Sequence, residues 1–179
     1  MNKRNGKMKY LAIGAAGFIV AGGLALDTTY QIQEQEQAVL TTFGVPKAVN
    51  ETGLHFKVPF VQQVQKVNTT IQGFPIGYSM GNNEVVENEG IMITSDYNFI
   101  DVDFFVEYRI SEPVKYLYTS EQPEEILKNI AQSCIRTVIA SYNVDEVLTT
   151  GKGEIQSKIK EMILNQMEEQ DLGIQLVNI

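Results

Sequence analysis

Three carboxylates and a guanidinium crowd one short stretch of this chain. Asp101, Asp103, Glu107 and Arg109 alternate with Ile100, Val102, Phe104, Val106, Tyr108 and Ile110 in the run IDVDFFVEYRI. Two carboxylates two residues apart are the residue types for general acid–base work or, with further oxygen ligands, for holding a hard cation. A calcium loop beginning at Asp96 would need an oxygen ligand at its fifth position and a glycine at its sixth. Ile100 and Asp101 stand there instead. A sheet with one buried and one wet face requires the same polar residues, because side chains alternate across a strand. On that reading the stretch does no chemistry. Phe99 and Phe105 fall on the polar face and are what alternation leaves unexplained. They suit a covering element or a neighbouring subunit.

Other reactive residues are scarce. His55 is the single histidine, so no His-pair metal site exists. Cys134 is the single cysteine, which excludes a disulfide within the chain and a cysteine-based zinc site. Its helical spacing with Ile126, Ile130 and Val138 makes it a small core residue. There is no nucleophile elbow, P-loop or dinucleotide fingerprint. The expectation is therefore a protein that is not an enzyme and uses no cofactor or metal.

The elements that must carry these residues change character along the chain. AVLTTF (38–43) reads as a strand stopped by Gly44. LHFKVPF (54–60) places Leu54, Phe56, Val58 and Phe60 at a period of two, with Pro59 marking an edge or an end. Residues 90–95 and 99–110 read as two β runs around an Asp96-Tyr97-Asn98 turn. After Pro113 the pattern turns helical. Pro123, Glu124 and Glu125 suit a helix start, and Leu127, Ala131, Ile135 and Ile139 recur every four residues. Asn143 and Glu146 match a capping box. A further helix is expected over 154–170, ended by Gly173, with a closing strand from Ile174. This is an α+β body: β-rich over about 31–112 and helix-rich over about 113–179.

The N-terminus sets the compartment. Lys3, Arg4, Lys7 and Lys9 precede an uncharged run from Tyr10 to Leu26. Lengthened through Tyr30, that run gives a transmembrane anchor over 10–30 behind a short cytoplasmic segment, 1–9. The basic flank comes first, so the N-terminus stays in the cytoplasm and the body lies on the extracytoplasmic side. Gly23 and Ala25 also suit signal-peptide cleavage, but the length of the run favours an uncleaved anchor. Gly17, Ala21 and Ala25, spaced by four, form a small-residue face for helix packing in lipid. Four of the 14 basic residues precede Leu11 and all 22 acidic residues follow it. The body therefore carries 10 basic against 22 acidic residues, which disfavours nucleic acid as a partner.

The order of EQAVLTTFG, GLHFKVPF, ITSDYNFIDVDFFVEYRI, YLY, VDEVLTTGKGEI and LGIQLVNI resembles the SPFH (band 7, prohibitin-homology) family. Within it the stretch TSDYNFIDVDFFVEYRISEPVKYLY is most similar to the HflK branch. The resemblance covers about Ile32 to the end. It implies a membrane-anchored scaffold of the bacterial cell membrane that assembles with an HflC-like partner and regulates an FtsH-type protease. A stomatin- or prohibitin-like membrane organiser is the alternative. The resemblance also makes Phe99, Asp101, Asp103 and Phe105 candidate assembly contacts in a homo- or hetero-oligomer. HflK-like chains continue past the position matching Ile179 into a coiled coil that this sequence does not include.

Overall fold

The computed structural model describes residues 28–81, 86–149 and 151–179. The anchor expected over 10–30, with Gly17, Ala21 and Ala25, lies outside the described residues except at its very end. That end needs correction: Thr29 and Tyr30 belong to a strand, β1 (Thr29–Ile32). The chain divides into two compact units at Asn68–Thr69.

In the first unit β1 pairs antiparallel with β4 (Gly53–Phe56). β2 (Glu36–Thr42) is the middle strand between β3 (Val45–Val49) and β5 (Gln62–Asn68). Ala38 and Val39 are neighbours on opposite faces of β2, and both are fully buried. Only a strand covered on both sides can bury two consecutive residues. Residues 31–37 are polar apart from Ile32, so the end of β1 carries no periodic apolar signal.

In the second unit the alternating run 99–110 is not one strand, as its period suggested. β8 (Phe99–Asp101) pairs with β7 (Ile91–Ile93), and β9 (Phe104–Ile110) pairs with β6 (Gln72–Ile76). The partner changes at Val102–Asp103, where Gly77 ends β6 and Gly90 ends a short helix, α1 (Glu87–Gly90), ahead of β7. Burial still alternates across the break: Ile100, Val106, Tyr108 and Ile110 are buried, whereas Asp101, Asp103 and Arg109 are exposed. The expected wet and dry faces are therefore present, on two small sheets.

The helices pack on the dry face. After α2 (Pro113–Tyr118), α3 (Pro123–Ile139) starts with proline and two glutamates in its first turn and buries Leu127, Ala131, Cys134, Ile135, Val138 and Ile139. Cys134 is fully buried, and burial pushes its thiol up, away from the reactive thiolate. α4 (Val144–Leu148) opens with the expected capping box. The Glu146 N–H donates to Asn143 Oδ1 at 2.9 Å, and the Asn143 N–H donates to Glu146 Oε2 at 3.1 Å. α5 (Lys152–Gln170) buries Ile155, Ile159, Ile163 and Met167, and β10 (Ile174–Asn178) closes on β9. The residue that ends α5 is Asp171, in the left-handed conformation at φ 46°, and not Gly173 as the sequence suggested.

The turn between β7 and β8 is tied to the helical part by the Ser95 N–H, which donates to the Tyr142 carbonyl at 2.8 Å, and by the Asp96 carboxylate. Asp96 Oδ1 accepts from the hydroxyl of buried Thr94 at 2.6 Å and from the Val144 N–H at 3.1 Å. Asp96 Oδ2 accepts from Asn98 Nδ2 at 2.8 Å. The Thr94 hydrogen bond leads the effects that hold the Asp96 carboxyl below its usual value. A depressed folded-state value contributes stability above the unfolded value, lost as pH falls through the folded one. The denaturation midpoint should therefore fall on acidification below about pH 4. Asp96→Asn should flatten that acid limb, measured by urea titrations at stepped pH. An unchanged limb would remove Asp96 from the account.

Candidate functional surfaces

Two of the three carboxylates singled out in the sequence, Asp101 and Asp103, each stand over a glycine. A Cβ at Gly77 would lie 2.6 Å from Asp103 Oδ1, and a Cβ at Gly90 would collide with Asp101 Oδ1. The same Gly90 Cβ would be 3.3 Å from the Gly77 Cα, so the two glycine backbones meet beneath the two acids. Phe105 has the same kind of seat. Its ring lies over Gly73 on β6, where a Cβ would come within 2.6 Å of Cε1. An aromatic ring over a neighbouring strand's glycine fills a gap in the sheet surface. This explains a phenylalanine on a wet face, and no sequence period could have shown it. Asp101, Asp103 and Phe105 thus have packing roles within the chain as well as exposed atoms.

Phe99 has no such seat. It is 74% exposed on β8, directly opposite Ile93, with Ile91 two residues away on the same face of β7. Tyr97, at the tip of the turn, is 88% exposed at φ 62°. The outer face of this hairpin is therefore apolar and bordered by Asp101.

The first unit carries a larger apolar surface. Leu54 and Phe56 alternate on β4, and Val58 and Phe60 follow; all four are exposed, Phe60 at 95%. The period of two seen in LHFKVPF is real, but it marks an outward face. On the opposite face His55 stacks on Tyr30 at 5.4 Å, and its Nε2 lies 2.7 Å from the Glu51 carbonyl oxygen, so the single histidine has a structural role. Phe43, at the β2–β3 turn, is 83% exposed, and Val45 beside it is also exposed. The two turns touch: the Phe43 N–H donates to the Val61 carbonyl.

Phe43 and Phe60 share a second property. Both adopt the left-handed conformation, at φ 49° and φ 65°. A bulky residue there costs about 1–2 kcal/mol, whereas glycine would hold it without steric cost. Neither ring recovers that cost by burial within the chain. Residues that are strained and exposed point to a role outside the fold.

Among the described residues no group of three His, Cys, Asp or Glu side chains is placed to hold a metal ion. A cleft of about 500 Å³ lies between β9, α4 and the start of α5. Its charged lining is Asp103, Glu107 and Lys152, with no serine, cysteine or histidine to act as nucleophile or relay.

Comparison with known proteins decides what this arrangement is. The model of the SPFH domain / Band 7 family matches residues 30–179. The chain belongs to the SPFH family. The match begins within β1 and runs through both units. Among SPFH relatives, the "Modulator of FtsH protease HflK" of Escherichia coli K12 is 31% identical over 174 residues, covering 96% of this chain and 38% of the relative. "Protein HflK" of Buchnera aphidicola subsp. Schizaphis graminum is 31% identical over 151 residues, covering 84% and 34%. "Protein HflK" of Borreliella burgdorferi is 24% identical over 162 residues, covering 87% and 52%. The chain thus spans between a third and about half the length of these relatives.

Proposed function

We propose that this SPFH chain is an HflK-like, membrane-anchored scaffold subunit. On this reading it assembles with an HflC-like partner in the bacterial cell membrane and regulates an FtsH-type protease without being a protease itself. The observation that carries the reading is the SPFH match over 30–179, joined by relatives named HflK, one of them as a modulator of FtsH protease. The N-terminal run supplies the anchor, with Gly17, Ala21 and Ala25 as its packing face, the N-terminus cytoplasmic and the SPFH domain extracytoplasmic.

The exposed aromatic edge of residues 28–68 is the lipid-facing surface. Phe43 and Phe60 would each recover up to about 1.5–3 kcal/mol by full burial in an apolar medium, more than their backbone strain costs. The Lys57 N–H donates to the Thr28 carbonyl at 2.8 Å, which ties the Phe60 loop to a residue only two positions in sequence after the apolar N-terminal run. Phe99, with Asp101, Asp103 and Phe105, is the surface for a neighbouring subunit.

The reading is tested by reconstituting an FtsH-type protease in vesicles with and without the full chain. The turnover rate of a membrane-protein substrate should change severalfold when the chain is present, and the chain alone should cleave nothing. An unchanged rate would exclude protease regulation. Charge reversal at Asp101 and Asp103 should shrink the detergent-extracted particle, read by light scattering. An unaltered particle size would count against that assembly surface.

A further inference from the structure

We propose that Gln62 is the positioning residue that locks the two aromatic-tipped turns of residues 28–68 into one lipid-entering edge. The inference rests on the lipid-facing reading above and adds what holds that edge in shape. The two turns differ in how they are supported. Phe43 and Gly44 form the tight link between β2 and β3, whose ladder runs up to the Thr42–Val45 pair. The Phe60 loop, 57–61, lies between strands and contains Pro59, which has no N–H to donate.

The Gln62 side chain adds to the two long backbone bonds the loop makes, Val61 N–H to the Val58 carbonyl and Phe43 N–H to the Val61 carbonyl, both at 3.4 Å. Its Oε1 accepts from the Val58 N–H at 2.8 Å, fastening the loop across Pro59 and Phe60. Its Nε2 donates to Thr42 Oγ1 at 3.1 Å, fastening the same loop to the residue before Phe43. Its own backbone N–H donates to the Val58 carbonyl at 3.0 Å. A side-chain amide presents an acceptor and a donor at fixed separation, so one planar group serves both turns. Thr42 and Gln62 are also direct cross-strand partners in the β2–β5 ladder, which places the amide between the turns.

The lock has an energetic purpose. Phe60 at φ 65° and 95% exposure is the conformation the loop would abandon first if it were free. Holding it preorganised means that no ordering cost falls due when the ring meets lipid. The occupant is the lipid acyl region, because the Lys57 N–H ties the loop to the carbonyl of Thr28, two residues in sequence after the uncharged run 10–26.

The chain contains no tryptophan, so Phe43→Trp and Phe60→Trp each give a single reporter in the full-length protein. The reporters are placed in phosphatidylcholine–phosphatidylglycerol vesicles in which part of the phosphatidylcholine carries brominated acyl chains. Both should be quenched. Adding Thr42→Val, which removes the side-chain link between the turns, leaves the Phe43–Val61 backbone hydrogen bond and keeps a β-branched strand residue, should cut quenching at position 60 at least twofold and leave position 43 unchanged. Gln62→Ala should do the same, and more strongly. No quenching at either position in the parent chain would overturn the lipid-facing reading itself. Quenching at both positions that neither substitution alters would overturn the role of Gln62 and leave that reading in place. An equal loss at both positions would mean that the sheet as a whole had failed, and would also overturn the lock.

Discussion

Gly173→Val is expected to unfold residues 69–179. Gly173 sits at φ 70°, where a β-branched side chain costs about 1–2 kcal/mol on its own. The larger penalty is space. A Cβ there would run into the Glu112 carbonyl and lie 2.7 Å from the Tyr116 nitrogen and 2.9 Å from Lys115 Cβ. Two of those three atoms are backbone of the turn that starts α2, so neither can swing away. The Gly173 carbonyl meanwhile accepts from the Ser111 N–H at 2.9 Å, the Glu112 N–H at 3.0 Å and Ser111 Oγ at 3.2 Å. Moving Gly173 aside to relieve the clash would break all three. Strain, overpacking of about 1–3 kcal/mol and lost hydrogen bonds together approach the 5–15 kcal/mol that holds a typical domain folded. Circular dichroism and a urea titration would read the loss, with Gly173→Ala intermediate. A valine variant with the parental midpoint would show that this corner tolerates a side chain and that its packing has been misjudged.

Ile159→Ala is expected to cost about 2–5 kcal/mol. α5 is 19 residues long, yet it buries only Ile155, Ile159, Ile163 and Met167, one stripe on a largely exposed helix. Ile159 is fully buried, and truncating it leaves a cavity between α5 and the core. Leu164 lies on the same helix but is 40% exposed, so Leu164→Ala should change stability by no more than about 0.5 kcal/mol. Denaturant midpoints of the pair test the argument. Equal losses would mean that the stripe does not carry the helix.

The helical half of the fold was largely legible, because its signals are local. Pro123 with Glu124 and Glu125, the four-residue spacing of Leu127 to Ile139, and the Asn143–Glu146 capping box all lie within a few residues of what they determine. The β half was legible in period but not in partner. The run from Phe99 to Ile110 alternates in sequence and in burial, yet its division between β7 and β6 depends on where Gly77 and Gly90 meet, some 10 to 25 residues upstream. Likewise, LHFKVPF announces a two-residue period, but a period does not say which face is covered. Phe105 looked displaced on a polar face until the register brought Gly73 beneath its ring. Family membership was legible from the order of the motifs. The paired left-handed phenylalanines were not, because nothing in the type of a residue reports its φ.

The account stands or falls on whether the chain is a scaffold subunit in a protease assembly. The most direct measurement is mild-detergent affinity purification of the native-length protein from its own membranes, with mass spectrometry of what accompanies it. The account predicts one large particle containing this chain, an HflC-like chain and an FtsH-type protease. A small particle with no partners would contradict it.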